Sequence, residues 1–155
     1  MRDKACLTAS FELTGTCGPG CRFDDMTDFH TSWTGKTVVI VEDEFLVRDL
    51  AVCELEDNGF TVVEFDSADA ALPYLRLHGG DAALILTDVQ MPGSMNGLEL
   101  VDVLSRLWPD VPVLITSGGP LVDPRKLPAC AAFLSKPWRP DEMVARISGM
   151  LATAH

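Results

Sequence analysis

From Thr37 onward the chain is divided by short apolar runs that each end in polar residues. Val38-Val39-Ile40-Val41 is an unbroken β-branched run that stops at Glu42-Asp43-Glu44. A run without alternation reads as a strand buried on both faces. Ala83-Leu84-Ile85-Leu86-Thr87-Asp88 repeats the pattern and closes on a carboxylate, followed by the turn-forming Val89-Gln90-Met91-Pro92-Gly93. Val111 to Ser117 and Ala131 to Ser135 are two more such strands, with Lys136-Pro137 directly after the second. Thr61-Val62-Val63-Glu64-Phe65 is more polar, which places it at a sheet edge.

Helical spacing fills the intervals. Val47, Leu50, Ala51 and Leu55 share one helix face, and Asn58-Gly59 closes that helix with a left-handed cap. Ser67 or Asp69 caps a second helix that runs to about Leu77 and stops at Gly79-Gly80. Pro73 falls inside it, either in the first turn or at a kink. A third helix follows Asn96-Gly97, carries Leu100, Leu104, Leu107 and Trp108, and ends at Pro109. Trp108 reads as a core residue. Pro120, Pro124 and Pro128 allow only a short or broken helix before the fifth strand. The last helix opens at Pro140-Asp141-Glu142 and buries Val144, Ile147 and Leu151. Strands alternating with helices over short loops predict an α/β doubly wound parallel sheet.

Residues 1–35 lack either periodicity and hold Gly18-Pro19-Gly20, so they form an N-terminal extension expected to be weakly ordered. Met26 is an alternative start for translation. Residues 36–155 form the folded domain. The 155 residues suit one domain. The net charge of -11, from 23 acidic and 12 basic residues, disfavours binding to nucleic acid or anionic membrane. No apolar stretch spans a bilayer and no secretory signal is evident. Five cysteines without such a signal point to free thiols and a cytoplasmic location. Cys17 and Cys21 lack a partner pair for a metal site.

The strand ends bring chemistry together. In a sheet of order 2-1-3-4-5, ligands bind at the carboxyl ends of the strands, beside the switch point between strands one and three. Those two ends carry Glu42, Asp43 and Asp88. Three carboxylates in one pocket repel, and a divalent cation offsets the repulsion. Oxygen ligands without histidine or cysteine select a hard ion, Mg²⁺. Asp88 is the nucleophile that accepts a phosphoryl group. Asp43 and Asp88 bind the metal, Glu42 joins directly or through water, and the backbone carbonyl of Gln90 completes the shell. Lys136 neutralises a phosphoryl oxygen and Ser117 donates a hydrogen bond to another. Such transfer needs chiefly positioning and charge stabilisation.

The motifs Val41-Glu42-Asp43-Glu44, Leu86-Thr87-Asp88-Val89-Gln90-Met91-Pro92-Gly93, Asn96-Gly97, Pro112 to Gly118 and Lys136-Pro137 together resemble the receiver domain of bacterial two-component response regulators. The resemblance covers Lys36 to about Leu151 and implies the flavodoxin-like receiver fold. It implies phosphorylation of Asp88 by a phosphohistidine donor, a histidine kinase or a histidine phosphotransfer protein. It also implies that Ser117 is the switch hydroxyl, with Thr116 the less favoured alternative, and that Phe133 is the switch aromatic. In the family these reshape a face built from the fourth helix, fifth strand and fifth helix. The loop Gly93 to Gly97 is one residue longer than the common form, and the prolines alter the fourth helix. Only Ala152-Thr153-Ala154-His155 follow the last helix, so the expectation is a stand-alone receiver. It would act on an unknown downstream protein or as a phosphate sink, with phosphorylation-dependent homodimerisation left open. The alternatives are an aspartyl-phosphate phosphatase and an inactive receiver-fold binding module. Haloacid-dehalogenase-type phosphatases carry a second Asp where this chain has Gln90. Slow self-dephosphorylation is therefore expected rather than turnover of external substrates.

Overall fold

The apolar runs pair into one parallel sheet. In the computed structural model, which describes residues 33–119 and 122–154, the strands are β1 (Thr37–Val41), β2 (Thr61–Phe65), β3 (Leu84–Asp88), β4 (Val113–Ser117) and β5 (Ala131–Ser135). Their order is β2-β1-β3-β4-β5, every pair parallel. β4 starts after Pro112, not at Val111; Pro112 has no N–H to give a ladder. The polar β2 lies at an edge, as its composition predicts.

Alternate residues feed two cores. Val38, Ile40, Leu84, Leu86, Leu114 and Leu134 face α1 (Phe45–Asp57) and the C-terminal helix α4 (Pro140–Thr153). Val39, Val41, Ile85, Val113 and Ile115 face α2 (Ala68–His78) and α3 (Gly97–Leu107). The helix ends follow their sequence signals. Ser67 Oγ accepts from the Ala70 N–H at 3.2 Å. Asn96 and Glu99 form a reciprocal capping box on α3. Gly59 ends α1 at φ +89°, the left-handed region that favours glycine. Pro73 lies in the second turn of α2, not the first.

Three features depart from the periodicity. Leu50 and Leu107 are 46% and 44% exposed, whereas Ala51, Leu55, Leu100, Val101 and Leu104 carry the burial. In α4, Met143 is buried with Ile147 and Leu151, and Val144 is only partly covered. Between β4 and β5 the described residues hold no α-helix, only a 3₁₀ turn at Pro124–Lys126. Among the described residues the sheet therefore has four α-helices around it. Trp33, read in sequence as part of the extension, is buried and stacks on Phe60 with ring centroids 6.4 Å apart. Met26 and the other residues of the extension before Trp33 lie outside the described residues. Trp108 packs in the core, its indole N–H donating to the Leu75 carbonyl at 2.9 Å beneath Gly79 and Gly80.

Candidate functional site

The strand order reverses between β1 and β3, so the residues after these strands face one crevice at the carboxyl edge. Glu42 follows β1 and Asp88 ends β3. Both side chains leave hydrophobic strands, which is why both are buried, at 4% and 7% exposure. Asp43 beside them is exposed. One carboxylate oxygen from each of the three lies within 4.8 Å of the others.

Lys136 reaches into this group from the far side of β4. Its backbone N–H donates to the Ser117 carbonyl at 2.8 Å, and the Val89 N–H donates to the Thr116 carbonyl at 3.0 Å. The end of β4 thus spaces Asp88 from Lys136. Two inter-strand steps separate the backbones by roughly 10 Å, a gap that the long lysine side chain bridges. Lys136 Nζ donates to Glu42 Oε2 at 2.8 Å and lies 3.1 Å from Asp88 Oδ2.

Charge and burial act in opposite directions on this pair. Burial pushes the Glu42 carboxyl above its usual range and the nearby Asp88 adds to the rise; Lys136 counters it only in part. Burial alone would lower the Lys136 ammonium, but its hydrogen bond and attraction to Glu42 and Asp88 prevail and raise it. The two rises differ in cause: burial leads at Glu42, whereas attraction to the two carboxylates leads at Lys136.

A residue that the motif reading overlooked braces the site from behind. Arg48 Nη1 donates to the Glu42 carbonyl at 2.6 Å, and its Nε lies 3.4 Å from Glu64 on β2. The sequence signal was a single cation one helical turn beyond three consecutive acids. The start of α3 approaches closely as well. Gly97 N–H donates to the Val89 carbonyl at 2.9 Å. A Cβ on Gly97 would lie 1.8 Å from the Asp88 carbonyl oxygen, so only glycine fits.

The remaining predicted residues lie around this group. Ser117 and Thr116 are both buried at the end of β4. Thr116 is in register with Asp88, and the Ser117 hydroxyl accepts from the Gly119 N–H at 3.3 Å. Phe133 on β5 is half-buried against the core that includes Ile115, its register partner. Gln90 and Asp43 line an open groove of about 670 Å³. Three clustered carboxylates, all oxygen donors, fit a hard divalent cation. The described residues include no helix long and apolar enough to cross a membrane.

A doubly wound sheet with an acidic crevice at its switch point and a lysine across it defines a class of signalling domain. The family model for the response regulator receiver domain matches residues 38–148, and the chain belongs to that family. It is 36% identical over 121 residues to the phosphate regulon transcriptional regulatory protein PhoB of Klebsiella pneumoniae, covering 75% of this chain and 52% of PhoB. The chain therefore spans about half the length of that relative. It is 33% identical over 122 residues to the response regulator receiver protein CpdR of Brucella abortus, covering 77% of this chain and 99% of CpdR. Among solved structures, a response regulator receiver protein from Sinorhizobium medicae superposes with a TM-score of 0.71 at 21% identity. That match covers 78% of this chain and 98% of the other, and it shows the fold.

Proposed function

We propose that this receiver domain is a Mg²⁺-dependent phosphoacceptor, phosphorylated on Asp88 by a histidine kinase or a histidine phosphotransfer protein. The observation that carries the reading is the meeting of Lys136 Nζ with Asp88 Oδ2 at 3.1 Å inside a cluster of three carboxylates. Asp43, Asp88 and Glu42 would hold the cation, with the Gln90 carbonyl as a further oxygen donor. The cation supplies charge neutralisation for the phosphoryl oxygens when bound.

A carboxylate oxygen of Asp88 attacks phosphorus. The P–N bond to the donor imidazole breaks as the P–O bond forms, and the imidazole leaves and takes up a proton. Lys136 moves from balancing two carboxylates to pairing with a phosphoryl oxygen. Ser117 gives up its local acceptor role and donates to another. Gln90 stands where a phosphatase of the aspartyl-phosphate type needs a general acid, so the phosphoryl group is held and released slowly. The signal passes on by protein contact or by return of the phosphoryl group.

A donor needs a surface beside Asp88. Phe45, Leu46 and Leu50 on α1 are 62%, 73% and 46% exposed. Leu50 and Val47 border a cavity that also touches Lys136, Pro137 and Trp138. An apolar patch at the rim of a charged crevice suits a helical phosphohistidine protein. Incubation with acetyl phosphate and Mg²⁺ should add one phosphoryl group by intact mass, and Asp88→Asn should abolish it. Labelling that persists in Asp88→Asn would overturn the assignment.

A further inference from the structure

The loop between β3 and α3 is held by a residue of α2. Asp69, in the first turn of α2, accepts from the Ser94 N–H through Oδ2 at 2.8 Å. Its Oδ1 accepts from the Ser94 hydroxyl. The Met95 N–H contributes as well, and these bonds hold the Asp69 carboxyl below its usual range, the Ser94 hydroxyl most of all. Gly93 makes room for the contact. It has φ +117°, and a Cβ there would lie 2.1 Å from Asp69 Oδ2. One carboxylate thus holds two consecutive loop residues, Ser94 and Met95, that Gln90 precedes and Asn96 follows.

The anchored segment connects the site to a cap. Asn96 and Glu99 lock its far end to α3. Its near end is tied to β4 through the Val89 N–H. With both ends fixed, Gly93 to Met95 is the part still able to swing, and Asp69 is what restrains it. Gln90 lies on the same stretch between those fixed ends and lines one groove with Asp43, so a swing there would displace it relative to Asp43.

We propose that Asp69 is a positioning residue for the metal site, holding the Gln90 carbonyl in place through the Gly93-Ser94-Met95 segment. This rests on the reading of the acidic crevice as a Mg²⁺ site. The sequence marked Asp69 only as a helix cap, a role that Ser67 fills.

The test is a calorimetric MgCl₂ titration of the full chain, with hydrogen exchange of the Ser94 amide and thermal midpoints alongside. Asp69→Ala should weaken Mg²⁺ by about tenfold, the low end of what loss of an outer partner costs. It should also speed Ser94 exchange while leaving the exposed helix start folded. Asp69→Asn keeps an acceptor for the Ser94 N–H and should stay within about twofold of wild type. Gly93→Ala should reproduce Asp69→Ala, and the double variant should be no worse than either single one. Equal affinity in wild type and Asp69→Ala would overturn the proposal. A loss in Asp69→Asn as large as in Asp69→Ala would overturn it too, because charge alone would then be the cause. Failure of the wild type itself to bind Mg²⁺ would instead sink the metal-site reading beneath it.

Discussion

Lys136 sits between Glu42 and Asp88, and its removal exposes what it balances. Its ammonium is raised above the ordinary 10.5. A raised base gives stability that is fully present below its unfolded pKa and lost as pH rises through the folded value. Glu42 is raised from 4.5 and acts in the same sense, in a lower pH window. The folded state keeps that proton longer, so stability declines as pH climbs through the window above 4.5. Lys136→Met should cost about 2 kcal/mol at neutral pH, somewhat under the range for breaking a fully buried pair because Asp43 keeps the crevice wet. Urea denaturation of both proteins should show the gap closing above pH 10.5. The same variant should bind Mg²⁺ a few-fold more tightly, since the competing ammonium is gone. Unchanged stability across the whole pH range would contradict this account.

At the scale of elements, α3 meets β3 backbone to backbone. Gly97 sits in that contact, and its replacement by alanine forces the helix off the Asp88 carbonyl. Gly97→Ala should destabilise the fold by about 2 kcal/mol, as overpacking does, read as a lower urea midpoint. It should also slow acetyl phosphate labelling, because Asp88 moves with its carbonyl. The strands were legible in the sequence since an unbroken apolar run has few other places to go. Glu42, Asp43, Asp88 and Lys136 could be read as one group because each directly follows or ends such a run. Arg48, Asp69 and the close fit of Gly97 were not legible as partners. Their contacts join residues from different elements through backbone atoms, and no periodicity encodes that. Trp33 was missed for a related reason, since a lone aromatic before the first strand has no repeat around it. Leu50 and Leu107 show the converse: helical spacing marks an apolar face without saying whether the protein itself covers it.

For the whole molecule, the uncovered part of α1 and the crevice lie on one side. A protein donor would meet both at once, whereas a small donor needs only the crevice. Phe45→Ala with Leu46→Ala should therefore slow transfer from a phosphohistidine protein at least about tenfold, in keeping with the loss of apolar anchors at an interface. Labelling by acetyl phosphate should remain within about twofold of wild type, since no anchor is needed there. Equal slowing of both donors would place the fault in the site rather than in docking. The net charge of -11 adds that a basic surface on the donor speeds the encounter at low salt.

On the opposite side of Lys136, the described residues between β4 and β5 form only a 3₁₀ turn. Its bonds are short in reach: Lys126 N–H to the Asp123 carbonyl, Leu127 N–H to the Pro124 carbonyl, Arg125 N–H to the Asp123 side chain. Among the described residues the segment is also tied to β4, where the Val113 N–H donates to the Cys130 carbonyl at 2.9 Å, and Val122 and Leu127 pack against the core. A rigid helix in this place would offer a partner a finished surface and could only tilt. A segment whose middle is held by local bonds is easier to remould than a helix, at the expense of ordering entropy. A partner that remoulded this segment would couple its recognition to ordering of the chain. The coupling would show itself as a binding heat capacity more negative than the contact area alone accounts for.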